Sequence, residues 1–331
     1  MPGLLLGMAL LFPFSLLGAE QPPEKPAPQT DVPAPKPGFF DSMNAPRNYL
    51  SGELVDFATG IDRFFGDDRN FQESNKSVIQ LNLTRMTGYG GDRKLVLAAR
   101  VNLSLPSTEK RFHLLLESNP DQNTSGEPQQ LQQTTPLTNR VEKPQSIGLA
   151  LRYEKIKEEI RATHLSADAG LKFQGINHIN PFVRARGSYS VPFDQWRLKA
   201  EQSVYWFNTI GAGETTQVDL EHLLSEPVLF RATSNATWLK DKQNFDLRQD
   251  LSIYQTVNER TALLYQASVI GVSKPQTQVT EYLAQLLYRY RLHREWIFFE
   301  VNPQLIYLKT NNFSQSFALT MRLEILFDGS R

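Results

Sequence analysis

The segment THLSADAG carries His164, Ser166 and Asp168, the residue types of a base, a nucleophile and an acid. A relay needs hydrogen-bond contact from acid to base and from base to nucleophile. Residues two apart on an extended strand share a face but lie about 6.5–7 Å apart, so one strand cannot bring all three into contact. The order also sets Ser166 between His164 and Asp168, whereas the imidazole must be central. The three read as polar residues along one strand face, and no enzyme activity is expected. The remaining histidines, His113, His178, His222 and His293, show no paired metal-ligand spacing. His113 and Glu117 share a strand face but are too far apart to converge. The glycine-rich GYGGD and GAGE fit turn geometry rather than phosphate binding. No catalytic, cofactor-binding or metal-ligating set is therefore expected.

Composition narrows the classes further. The chain has 331 residues, with 35 basic and 35 acidic side chains, so no global charge favours nucleic acid. No cysteine is present, which excludes disulfides, zinc–thiolate sites, iron–sulfur clusters and a thiol nucleophile. Apolar residues make up 40%. A plain hydropathy reading would call that soluble, but alternating strands hide a lipid-facing side from a window average.

The chain opens with an apolar run from Leu4 to Leu17, followed by Gly18 and Ala19. That run has signal-peptide length and is too short to span a bilayer as a helix. Residues 1–19 are expected to be a cleaved leader. Residues 20–38, EQPPEKPAPQTDVPAPKPG, are a Pro-rich, low-complexity tract expected to be a disordered, polyproline-like linker. Residues 39–76 are expected to form a periplasmic segment containing a helix at 51–66. There Ser51 is a candidate N-cap, and Leu54, Phe57, Ala58, Ile61 and Phe65 share one face. The favoured placement is against the barrel or the membrane interface; a plug is the alternative.

From Ser77 onward the period changes to two. In KLVLAARVNLSLP, Leu95, Leu97, Ala99, Val101, Leu103 and Leu105 take one face, while Val96, Ala98, Arg100, Asn102 and Ser104 take the other. Eleven such residues match a tilted membrane-crossing strand of about 9–11 residues. Comparable segments fall near 77–86, 95–105, 112–118, 146–153, 162–173, 181–191, 196–207, 216–224, 228–238, 245–255, 261–272, 279–292, 296–307 and 316–327. The expected fold is all-β: a transmembrane antiparallel up-and-down β-barrel over residues 77–331. It has about 14 strands, with 12 or 16 if one hairpin is misread, and a short N-terminal periplasmic helix. Alternate connections support this. PSTEKR, EKIKEEIR (154–161), PFDQ and SEP are mostly short, whereas the other set includes IGAGET and the long 119–145 segment. Short periplasmic turns opposite longer outer loops are the rule for such barrels.

Alternation alone does not say which face meets lipid. A core of five or six apolar side chains from each of about 14 strands would overfill a barrel roughly 28 Å across, and barrels of that width hold aqueous lumens. Aromatic residues also gather at strand ends, among them Tyr153, Tyr189, Trp206, Phe317 and Phe327, as in interface girdles. The apolar face is therefore assigned to lipid. By parity, the lumen is lined by Arg100, Glu117, Arg152, Asp168, Arg184, Arg186, Arg197, Lys199, Glu201, Arg231, Arg248, Glu281, Arg289, Glu300 and Arg322. Lys172, Asp219, Glu221, Asp246, Asp250, Arg291 and Glu324 share that face. The mixed signs favour ion pairs between neighbouring strands over a one-sign ring. Arg184, Arg186, Arg197 and Lys199 form the one basic stretch, read as paired with Glu201, Asp219 and Glu221 rather than as an anion-attracting wall.

The last strand, FALTMRLEILF, resembles the C-terminal signal read by the barrel-assembly machinery. It alternates Leu319, Met321, Leu323 and Ile325 before the aromatic Phe327, although the chain continues through Arg331. At class level the chain resembles outer-membrane β-barrel proteins of Gram-negative bacteria. The resemblance implies export, outer-membrane lipid as surroundings, and assembly by that machinery. The expected function is a passive or weakly selective channel for small solutes. The alternative is a structural barrel with an occluded lumen, whose residues 20–66 engage a periplasmic partner or peptidoglycan. No cofactor is expected.

Overall fold

The computed structural model describes residues 44–65, 77–88, 93–105, 111–122, 140–142, 146–157, 162–175, 177–292 and 296–328. The expected leader, the Pro-rich tract and most of the 119–145 segment lie outside the described residues. All described elements belong to one unit, Met43–Arg331.

The period-two stretches form strands β1 (Val78–Gly88), β2 (Arg93–Ser104), β3 (Phe112–Ser118), β4 (Arg140–Glu142), β5 (Ile147–Lys157), β6 (Ala162–Phe173), β7 (Ile179–Phe193) and β8 (Trp196–Phe207). They continue as β9 (Gly211–Ser225), β10 (Val228–Leu239), β11 (Asn244–Asn258), β12 (Thr261–Val272), β13 (Gln278–Arg291), β14 (Ile297–Leu308) and β15 (Gln315–Asp328). Each wall strand pairs antiparallel with its neighbours in sequence order, and β1 pairs with β15 from Val78↔Asp328 to Gly88↔Ala318. The result is a closed 14-strand antiparallel up-and-down barrel. The short β4 is outside this ring. It pairs in parallel with Lys94–Val96 of β2, beyond the reach of the shorter β3. Closure pairs the main chain of first and last strands, which an open sheet in hydrocarbon would leave unsatisfied.

The two rims differ. One carries the start of β1, the end of β15 and two-residue turns at 194–195, 226–227 and 259–260. The other carries the 119–146 connection. These are the short-turn and long-loop ends. Two expected boundaries shift. In EKIKEEIR, residues Glu154–Lys157 continue β5 rather than turning, and in IGAGET the strand β9 already begins at Gly211. The GAGE glycines serve more than a turn. Gly211 has φ +75°, which L side chains rarely adopt, and a Cβ on Gly213 would lie 2.4 Å from the Tyr205 ring.

Burial alternates along the wall with apolar side chains outward. In β8, Leu198, Val204 and Trp206 are exposed, while Arg197, Lys199 and Glu201 are buried. Leu97, Leu151, Leu165, Val183 and Leu251 are likewise exposed on their strands.

The chain's one described α-helix, α1 (Asn44–Phe65), begins seven residues before the expected start, so Ser51 lies within it and is not its N-cap. The expected apolar face is present: Leu54, Ala58, Ile61 and Phe65 are buried, and Phe57 is partly so. Its placement differs from the favoured expectation. These residues pack on Leu229, Tyr254, Ala262, Leu264 and Leu287, all on the inner face of β10–β13, so the helix sits inside the barrel at the short-turn end. An outer face against hydrocarbon offers such a helix nothing that lipid does not. The interior seat instead removes its apolar side chains from water, about 1.5–3 kcal/mol for each large one.

Leu251 lies mid-strand in β11 and is 50% exposed. Leu251→Arg should cost about 2–4 kcal/mol in reversible unfolding from lipid vesicles, as expected for a charge at the bilayer midplane. A cost near zero would mean that this face meets water.

Candidate functional site

The interior is a lattice of paired charges set by strand register. On β5, β6 and β7, Arg152, Asp168 and Arg184 stand directly opposite one another across neighbouring strands. Arg152 Nε donates to Asp168 Oδ1 at 2.7 Å and Nη2 to Oδ2 at 3.0 Å; Arg184 Nε donates to Oδ2 at 2.8 Å. Arg184 Nη2 also reaches Glu117 on β3 at 3.3 Å, and Arg100 faces Glu117 across β2 and β3. A second row crosses β8, β9 and β10. Glu221 accepts from Arg197 Nε at 2.5 Å and from Arg231 Nε at 2.8 Å. A third row closes the seam: Arg289 bonds Glu300, and Arg322 bonds Glu300 at 2.7 Å. Glu324 accepts from Arg289 at 2.6 Å and from Gln80 of β1 at 3.1 Å. Arg248 Nε donates to both oxygens of Asp250 at 2.9 Å.

All of these side chains point into the ring while most wall leucines, such as Leu97, Leu151, Leu165 and Leu251, point out, the inverse of a soluble barrel. Charges on the inner face and an apolar belt on the outer one suit only a wall set in lipid. The protein is a membrane-spanning β-barrel. No protein-family model matches the chain, and no curated protein matches it in sequence. Among solved structures it is similar to the outer-membrane channel DcaP of Acinetobacter baumannii, at 8% identity and TM-score 0.42, covering 76% of this chain and 96% of that one. It is also similar to a loop L8 deletion mutant of OmpT, an outer membrane protein of Vibrio cholerae, at 12% identity and TM-score 0.44, covering 76% and 98%. NanC porin gives 8% identity and TM-score 0.39, covering 74% and 98%. Likeness this distant transfers no solute or site residue.

Every residue assigned by parity to the lumen of the barrel sits on the inward strand face. Arg152, Arg231 and Arg289 are among its largest fully buried side chains, and Arg186, Lys199, Glu201 and Glu281 are buried as well. The basic stretch divides between partners. Arg197 meets Glu221 as the sequence suggests, whereas Arg184 turns to Asp168 and Glu117. The His164 group is not assembled as a relay: His164 Nε2 contacts Glu154 Oε1 at 2.5 Å, and Asp168 is engaged by two arginines. Glu154 also lies 2.9 Å from His113 Nε2, while His113 Nδ1 meets Asn102 Oδ1 at 3.0 Å. Each imidazole faces a different carboxylate oxygen, and among the described residues no group is arranged to hold a metal ion.

Besides Asp121 of the long connection, two interior carboxylates are absent from the parity assignment. Glu154 was hidden in a charge-rich stretch read as a turn; two more residues of β5 alternation would have found it. Asp62 is on α1 and meets Arg231 Nη2 at 2.6 Å and Arg197 Nη2 at 4.0 Å. The helix is also held by aromatic contacts: Phe65 on Tyr254 with ring centroids at 5.3 Å, and Phe64 edge-on to Phe298 at 5.8 Å. Arg291 stands 5.3 Å from the Phe64 ring centroid. At the long-loop end a second apolar group fills the inner face, with Leu115, Ala150, Phe182, Tyr205 and Phe207 buried together. There the described residues 119–122 turn inward: Pro120 sits against Gly148, and Lys172 Nζ bonds Asp121 at 2.6 Å.

Asp168→Ala should destabilise the barrel by about 3–5 kcal/mol, because it strands two buried arginines, whereas Asp246→Ala on the half-exposed rim should cost under about 1 kcal/mol. Urea titration followed by heat-modifiable gel migration measures both. Equal costs would show that the interior row is solvated.

Proposed function

We propose that the barrel is a channel for small solutes, closed by α1 in the conformation described. One observation carries this reading: the element occupying the lumen at the short-turn end is not part of the wall. Helix α1 precedes β1 and is held by one ion-pair group around Asp62 and one apolar face. Strand pairing from β1 to β15 is complete without it. Displacing the helix would open that end and leave the ring intact. The short-turn end is the periplasmic side by the turn-length rule, so the plug is reached from the periplasm. Residues 1–19 act as the leader removed on export, and the last strand is read by the barrel-assembly machinery. Residues 20–38 tether the plug within reach of a periplasmic partner or peptidoglycan.

The second reading, a structural barrel that never opens, is favoured by the rows of buried ion pairs and by the apolar group at the long-loop end. Asp62→Arg separates the two. It sets a cation against Arg231 and Arg197 and should drive α1 from its seat. In planar bilayers the unaltered chain should be mostly closed, and Asp62→Arg should give conductance steps at least roughly tenfold more often, the effect of about 1.4 kcal/mol on the closed state. A folded Asp62→Arg barrel that stays silent would establish the structural reading.

A further inference from the structure

The plug does not cover the lumen evenly. Its apolar face rests on Leu264 and Leu287, and the next inward residues above these are Gln266 on β12 and Gln285 on β13. The inner face there carries no ionisable side chain. Gln304 and Asn302 of β14 donate to Gln285 Oε1 at 3.0 and 3.1 Å. Gln285 Nε2 donates to Gln266 Oε1 at 2.9 Å, and Gln266 Nε2 to Ser268 at 3.2 Å. Asn302 is 1% exposed, and its Oδ1 accepts no hydrogen bond. Of the charged groups bordering this stripe, Arg248 is matched with Asp250 on one side and Arg322 with Glu300 and Glu324 below, and Glu281 stands beyond Leu283 on β13.

We propose that this amide stripe is the recognition surface for an uncharged, hydroxyl-rich solute of the carbohydrate class. The inference rests on the channel reading and names the solute for it. Amides offer paired donors and acceptors, which match hydroxyl groups that also donate and accept. A charged solute entering here would lose its hydration with little countercharge to replace it, because Arg248, Arg322, Glu300 and Glu324 already have partners. The plug therefore covers the way to a neutral wall, while the ionic rows of β5–β10 brace the opposite one. Exchange of a hydroxyl for the bonds among Gln266, Gln285 and Gln304 keeps every amide satisfied, and the buried Asn302 Oδ1, which lacks a donor, can gain one in the exchange.

The test uses the full chain carrying Asp62→Arg, reconstituted in liposomes, with osmotic swelling rates in glucose, sodium gluconate and glucosamine hydrochloride. Glucose should enter fastest. Gln285→Leu and, separately, Asn302→Ala should slow glucose roughly five- to tenfold, the size of one lost hydrogen bond of recognition. Heat-modifiable migration checks that each variant is folded, and the two variants guard against one failing to fold. Equal rates for the three solutes, or no effect of either substitution, would overturn the amide-stripe inference while leaving the channel intact. No swelling in any solute would reject the channel and this inference together.

Discussion

Hydrocarbon offers no hydrogen bonds, and the rest of the molecule follows from that. Every main-chain group in the wall must find its partner in a neighbouring strand, which forces the ring shut between β1 and β15. Most charged side chains of the wall strands point inward, because a charge facing lipid costs several kcal/mol at mid-depth. The outer face then needs no design beyond being apolar. The burden of specificity moves to the interior.

Inside, the same low-dielectric surroundings that penalise a lone charge strengthen a matched one. Register supplies the matches. Arg152, Asp168 and Arg184 are successive cross-strand neighbours, as are Arg197, Glu221 and Arg231, so each row forms when the strands pair. Glu154 and Asp62 add negative charge to an inner face whose parity-assigned residues lean basic. Asp62 matters most because it belongs to α1: the helix joins the lattice electrostatically as well as through its apolar face. A wall of this circumference is too wide for its own side chains to fill throughout, and the helix occupies space they would leave to water.

Much of this was legible in the residue order. The boundaries of β3, β6, β8 and β12 coincide with the expected segments, because charged or turn-forming residues flank them. The inward set followed from parity. Where alternation lapses, the expectation faltered, and the lapses have a meaning. Val228-Leu229-Phe230, Leu263-Leu264-Tyr265, Leu286-Leu287-Tyr288 and Ile297-Phe298-Phe299 are apolar on both faces, all near the short-turn end. Their inward members, Leu229, Leu264, Leu287 and Phe298, form the seat of the helix or border it. The signal was present as lost alternation, but nothing local says what an inward apolar residue meets.

By itself, the sequence determined an antiparallel barrel of about 14 strands, which face of most strands is apolar and which is polar, and that α1 has one apolar face. These are local properties, because a strand's two faces follow from the geometry of the extended chain. Tertiary structure alone decided that the helix lies inside the ring, that Asp62 meets Arg231, and that Arg184 turns to Asp168 and Glu117 rather than to Glu201, Asp219 and Glu221. Those outcomes depend on pairings between residues far apart in the chain, whose heights within the wall are fixed only when the ring closes in one register.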